Sequence, residues 1–330
     1  MKKIVLVSFD ERTRDVLDHL IPLLRGSMYP VIIKSFLDPE QNDWIEGNDE
    51  MLERFRNPRM QEFGELSDET ELNDLKGGVN ENVHIKKMSP LSVTSEEFKI
   101  VSKLLEGINP GDMVVSFMDM SSANRILAAR FFSDRLTGEG CSTFCFTLNG
   151  GRFSAYKDVE IQNREYLDLS MQFNGVVALP PSFTLNGKNA DLAHLIRHLA
   201  KMIFSPGLVN LDHADLLATS KGGTVLVMTW GLAQPGGNSA STSVNDALGS
   251  DLCNVDLRTV RKALINVVGG TTLSLEDSLV AAEVVKRRIK EDSRIIWGVT
   301  TTDESEEDLE IFLILATTPL ELLLHWYSQQ

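Results

Sequence analysis

The 330-residue chain is 42% hydrophobic and 24% charged, an ordinary globular balance long enough for two modest domains with a substantial core. Its formal charge of −15 speaks against general nucleic-acid affinity, which needs clustered Lys and Arg, and points to protein partners instead. No run of about 18 apolar residues exists, and MKKIVLVSFDERTRD meets charge too early for a secretory signal, so a cytoplasmic protein with no direct membrane insertion is expected.

KKIVLVSF is a β-branched apolar run that predicts a strand, and TRDVLDHLIPLLRG carries apolar residues at helical spacing. VIIKSF reads as a second strand. Residues 38–95 then turn polar and acidic, with one helix expected around 49–55 and loop elsewhere. Order returns with EEFKIVSKLLEGI as helix, GDMVVSFM as strand, SANRILAARFFSDRL as helix and STFCFTL as strand. EIQNREYLDLSMQF reads as helix and GVVALP as strand, before a longer helix over residues 190–204 that stops at Pro206 and Gly207. Strands alternating with helices imply a parallel, doubly wound, Rossmann-like sheet.

Beyond residue 208 the texture changes. KGGTVLVMTWG predicts a strand, the Gly- and Ser-rich QPGGNSASTS a surface loop, and VNDALGSDL a helix. ALINVVGG, RIIWGVTT and LEIFLILAT are three further strands, with SLEDSLVAAEVVKRRIKED as the helix between the first two. The expected result is a smaller α/β unit with a mixed sheet. Cys141, Cys145 and Cys253 lack metal spacing with His and read as buried thiols.

Three segments of this second half, in the same order and spacing, resemble the FtsZ/tubulin superfamily. ALINVVGGTTLSLEDSLVAAEVVKRRI is similar to the FtsZ strand that ends in Gly-Gly and leads into a long Ala- and Val-rich helix. SRIIWGVTTTDESEEDLEIFLILAT is similar to the strand, acidic turn and final strand of the family, with a matching Gly298. SPGLVNLDHADLLATSKGG is similar to the loop after the family's central helix, where the pattern runs close to NxDFAD. The resemblance implies a GTPase-like domain over residues 1–187, a central helix and break over 188–208, and a C-terminal FtsZ/tubulin-like domain over 209–330.

It also implies a site. In the family, nucleotide sits on the top of one subunit and the acidic loop of the next subunit completes the hydrolytic centre, its carboxylates positioning the attacking water. Asn210, Asp212 and Asp215 correspond by position to that polar triplet, and His213 stands where the family has Phe. Read from the residues alone, an Asn followed by Asp-x-x-Asp after a Pro-Gly break also caps the next helix.

The phosphate-binding end reads differently. Glycine is needed where backbone N–H groups approach phosphates closely, yet the first strand runs into Ser8-Phe9-Asp10-Glu11-Arg12, with two carboxylates and no glycine. Like charges at that distance repel. The place of GGGTGTG is taken by Asp119-Met120-Ser121-Ser122-Ala123-Asn124-Arg125, where Ser121 and Ser122 offer a weak anion contact or a helix cap. Arg152, in LNGGRF, matches a sugar-side position, Asn189 a guanine contact or a cap, and Pro180-Pro181 replaces the family's Pro-Asn.

These observations favour a pseudo-GTPase: a cytoskeletal or cell-division protein that takes no cofactor and assembles without GTP, or caps or modulates filaments of an FtsZ-type partner through longitudinal contacts with that partner or with itself. The alternatives are an active, polymerising GTPase using GTP with Mg, and a monomeric scaffold. His194 and His198, four apart on the central helix, have chelating spacing; with no third ligand at suggestive spacing, they read as a partly exposed helix face and no metal is expected. Leu320, Leu323, Leu324, Trp326 and Tyr327 form a compact apolar end expected to pack on the body.

Overall fold

The computed structural model describes residues 2–24, 30–37, 42–45, 95–120, 123–148, 156–183, 189–204, 207–233, 239–270, 273–301 and 309–329. The first half is built from β1 (Ile4–Ser8), α1 (Glu11–Leu24), β2 (Val31–Ser35), β3 (Asn42–Ile45), α2 (Ser95–Leu105), β4 (Met113–Asp119), α3 (Ala123–Gly138), β5 (Ser142–Leu148), α4 (Tyr156–Gln172) and β6 (Gly175–Ala178). The long helix α5 (Asn189–Phe204) follows. The second half holds α6 (His213–Ser220), β7 (Val225–Ala233), α7 (Ser239–Gly249), β8 (Lys262–Gly269), α8 (Leu275–Lys286), β9 (Arg294–Thr301), β10 (Leu309–Thr317) and α9 (Pro319–Ser328).

The ten strands of the described residues lie in one sheet of order β3-β2-β1-β4-β5-β6-β7-β10-β8-β9. From β2 to β6 the pairings are parallel, as the alternation of strands and helices requires. The two halves join through a short parallel contact at Val177 and Leu226. Past that seam β10 runs antiparallel to both β7 and β8, and β9 is parallel to β8, giving the mixed sheet expected.

The strands of the first half are buried on both faces, so they read as continuous apolar runs rather than alternating ones. Their side chains still divide by parity: Val5 and Val7 enter one core with Phe9, Phe132 and Tyr166, while Ile4 and Leu6 enter the other with Leu17, Phe117 and Ile196. Helices α1 and α5 pack together over the second core; α3 and α4 are neighbours whose buried residues belong to the first.

Three differences from the sequence-based expectation stand out. An antiparallel edge strand, β3, lies inside the stretch expected to be loop. The supposed loop 234–243 already enters α7 at Ser239, because Ala240, Val244 and Ala247 fall at helical spacing and are all buried. The helix expected over 274–292 stops at Lys286 and continues as turns, with the N–H of Arg287 bonding to the Glu283 carbonyl. The helix expected around 49–55 lies outside the described residues. The apolar C-terminus packs as expected only in part: Leu323 is buried and Trp326 is 2% exposed with its Nε1 donating to Asn254 O at 2.8 Å, while Leu320 and Tyr327 are exposed and α9 contacts α4 of the first half. The three cysteines are free and buried.

Candidate functional site

The loop between α5 and α6 is held by two glycines. Leu208 N donates to Val299 O at 2.8 Å and Val299 N to Val209 O at 3.0 Å, so the loop adds itself to the outer strand β9. A Cβ on Gly298 would lie 2.4 Å from Leu211 Cγ, and one on Gly207 would lie 2.5 Å from Val299 O. The matching glycine of the sequence comparison is therefore a packing requirement of this loop.

The polar triplet sits on that support. Asn210 and Asp212 are exposed and Asp215 is half-buried. Asn210 Oδ1 accepts from Gly207 N at 2.6 Å. Asp212 Oδ1 accepts from Asp215 N at 3.0 Å, and Asp215 Oδ2 accepts from Asp212 N at 3.1 Å, a reciprocal capping box at the start of α6. Both readings of the sequence thus meet in the same atoms: the residues cap α6, and the cap leaves one oxygen of each carboxylate without a partner among the described residues. His213 tucks inward beside them. Burial lowers its pKa against the raising influence of Asp212, and its Nε2 has no partner among the described residues.

At the opposite end of the first half, the β1–α1 turn is closed from within. Asp10 Oδ1 accepts from Thr13 N at 2.8 Å, at the N-terminus of α1, while Asp10 N donates to Thr13 Oγ1 at 3.2 Å. The other oxygen, Oδ2, accepts from Asp119 N at 2.9 Å, at the end of β4. Arg12 Nη1 pairs with Asp119 Oδ2 at 2.9 Å across the same gap. Phe9 is fully buried beside the turn, with ring centroids 5.7 Å from Phe36 and 5.8 Å from Phe132. Asp10 is more than the repelling charge expected from the sequence. The carboxylate is also an internal anion, satisfying the very N–H groups that a phosphate at this turn needs. The Asp-x-x-Thr spacing was the available signal.

Ser121, Ser122 and Arg152 lie outside the described residues. Asn189 is the first residue of α5, and only its backbone is described. Pro180 and Pro181 occupy a turn in which Phe183 N donates to Pro180 O at 2.8 Å.

The structure corrects the reading of the two central-helix histidines. His198 is only 7% exposed, and a third donor does accompany the pair: Glu310 of β10, 116 residues beyond His194 in sequence. Glu310 Oε1 pairs with His194 Nε2 and lies 3.0 Å from His198 Nε2. Burial pushes the Glu310 carboxyl up, but the hydrogen bonds from His194 and His198 override it and hold it at about 2. Burial lowers His198, so a neutral imidazole faces an ionised carboxylate. No sequence spacing signals this partner, because only the sheet order brings β10 under α5.

A doubly wound parallel sheet, a central helix and a mixed-sheet half with a glycine-docked acidic loop together define the FtsZ/tubulin class of fold. Residues 224–318 match the FtsZ family, C-terminal domain. The cell division protein FtsZ of Haloferax mediterranei is 36% identical over 143 residues, 43% of this chain and 37% of the relative. FtsZ 1 of Archaeoglobus fulgidus is 32% identical over 227 residues, 65% of this chain and 61% of the relative. Among solved structures, a CetZ from Methanosaeta thermophila superposes with a TM-score of 0.62 at 13% identity, covering 100% of this chain and 90% of that one, a likeness of fold. The chain is a divergent member of the FtsZ/tubulin superfamily. It spans well under half the length of the Haloferax relative it matches.

Proposed function

We propose that the chain is an FtsZ/CetZ-like cytoskeletal or cell-division subunit that is a pseudo-GTPase: its β1–α1 end does not take GTP, and its acidic-loop end contacts a neighbouring subunit. The observation that carries this reading is the Asp10 carboxylate, bonded to both Thr13 N and Asp119 N. A phosphate approaching this turn meets a negative charge already seated on its donors, with the Arg12 guanidinium engaged by Asp119. The residues described at this end do not fit a nucleotide phosphate, and no step through GTP follows for this subunit's own top.

The loop of Asn210, Asp212 and Asp215 is the complementary half. Among the described residues, each aspartate keeps one carboxylate oxygen unpartnered on a surface that the family resemblance assigns to the next subunit's nucleotide. The subunit then docks on its own kind without nucleotide, or on an active FtsZ-type filament through longitudinal contact.

Calorimetry with GTP and Mg tests the first half of this reading: no saturable heat is expected, and micromolar affinity would overturn it. Adding the chain to an active FtsZ tests the second. Asp212→Ala with Asp215→Ala is expected to lower that partner's GTP turnover relative to the unsubstituted chain, whereas equal turnover leaves the loop with capping alone.

A further inference from the structure

We infer that His194, His198 and Glu310 form a binding site for a divalent transition-metal ion of the zinc class, which clips the central helix to the C-terminal sheet. The donor set comes first. Two imidazoles one helical turn apart on α5 point the same way, and the carboxylate of Glu310 on β10 meets both Nε2 atoms through a single oxygen. Two imidazole nitrogens and one carboxylate oxygen suit Zn2+ or Co2+ rather than Mg2+ or Ca2+, which prefer all-oxygen shells.

The geometry allows an ion to enter. The three ligand atoms lie within 4.8 Å of one another. Around a tetrahedral zinc with bonds of roughly 2.0–2.2 Å they need to be about 3.4 Å apart, so side-chain rotations suffice. His198 Nδ1 has no hydrogen-bond partner among the described residues, so the proton that Nε2 shares with Glu310 can move to Nδ1 when an ion takes the Nε2 lone pair. The His194 ring packs 4.2 Å from Trp230 and 4.4 Å from the His198 ring, which holds its direction. His194 is the most exposed member, with 26% of its side chain open to solvent, and gives the ion its path and a water its place as fourth ligand.

The site lies where the two halves meet, with α5 and β7 in contact and β10 beside β7. A bound ion would tie residues near 194–198 to residue 310 and stabilise the folded chain over the unfolded one, which lacks a preformed site. This inference is independent of whether the β1–α1 end takes nucleotide.

The test uses the full chain stripped with a chelator. Titration with ZnCl2 in the calorimeter is expected to give one ion per chain, and Co2+ loading to give an intense visible absorption of low-coordinate geometry. His194→Ala and Glu310→Gln are each expected to weaken Zn2+ at least tenfold and to abolish that absorption, with far-UV circular dichroism confirming a folded chain. If either variant fails to fold, His194→Gln, which keeps a polar side chain of similar reach, takes its place. Absence of Zn2+ binding, a pale octahedral Co2+ spectrum in the unsubstituted chain, or unchanged affinity in the folded variants overturns the site.

Discussion

The turn after β1 and the loop before α6 use one device and put it to opposite ends. Each places an aspartate at the start of a helix with a polar residue three positions on: Asp10 with Thr13, and Asp212 with Asp215. At the first, the second carboxylate oxygen crosses to another strand and bonds Asp119 N. At the second, the bonds stay within four residues and the side chain faces solvent. A cap becomes a plug when its remaining oxygen finds a long-range donor, and a presented carboxylate when it does not.

The largest expected effect comes from removing what supports the loop. Gly298→Val forces a side chain into Leu211 and the Val209 carbonyl, and is expected to cost about 1–3 kcal/mol in urea unfolding. Hydrogen exchange should rise at residues 207–215 while the β1–α1 turn keeps its protection. Equal exchange changes at both places would mean that the two regions are not separately supported.

A pair of single substitutions sharpens the contrast. Asp10→Ala strands two backbone donors on different elements and is expected to cost about 2 kcal/mol. Asp212→Ala loses one exposed cap and is expected to cost about 1 kcal/mol. Both are read by chemical denaturation. If the Asp212 variant loses as much as the Asp10 variant, the long-range bond to Asp119 contributes nothing.

The smallest effect lies away from both regions and serves as a control. Burial, helped by the neighbouring charge of Asp168, raises Glu165 to about 7 from its ordinary 4.5. A raised carboxyl stabilises the folded chain below its unfolded value and loses that contribution as pH climbs through the folded one. Stability is therefore expected to fall between about 4.5 and about 7 through this group. Glu165→Gln should flatten that part of a melting-temperature profile, leaving the difference between the Asp10 and Asp212 variants unchanged.

Much of this fold was legible in the sequence because periodicity is local. The apolar runs at 4–8, 113–119, 142–148 and 309–317 are strands, and the spacing of Leu192, Leu195, Ile196 and Leu199 gives α5 its two buried neighbours per turn. Strand β3 was not legible, since NDWI sits among polar residues and is a strand only through its pairing with β2. The start of α7 was hidden for a related reason: SASTS has loop composition, and burial of Ala240 against the sheet decides its conformation.

Sequence by itself determined the family of the second half, the loss of glycines at the β1–α1 turn and the position of the acidic triplet, because each is a matter of residue type at a fixed spacing. Only the tertiary structure decided that Asp10 reaches Asp119, that Gly298 makes room for Leu211, and that Glu310 completes the histidine pair. Those three contacts join residues far apart in the chain. They exist because β1 pairs with β4, the 207–211 loop bonds to β9, and β10 lies between β7 and β8, an order that backbone hydrogen bonds set and local spacing does not.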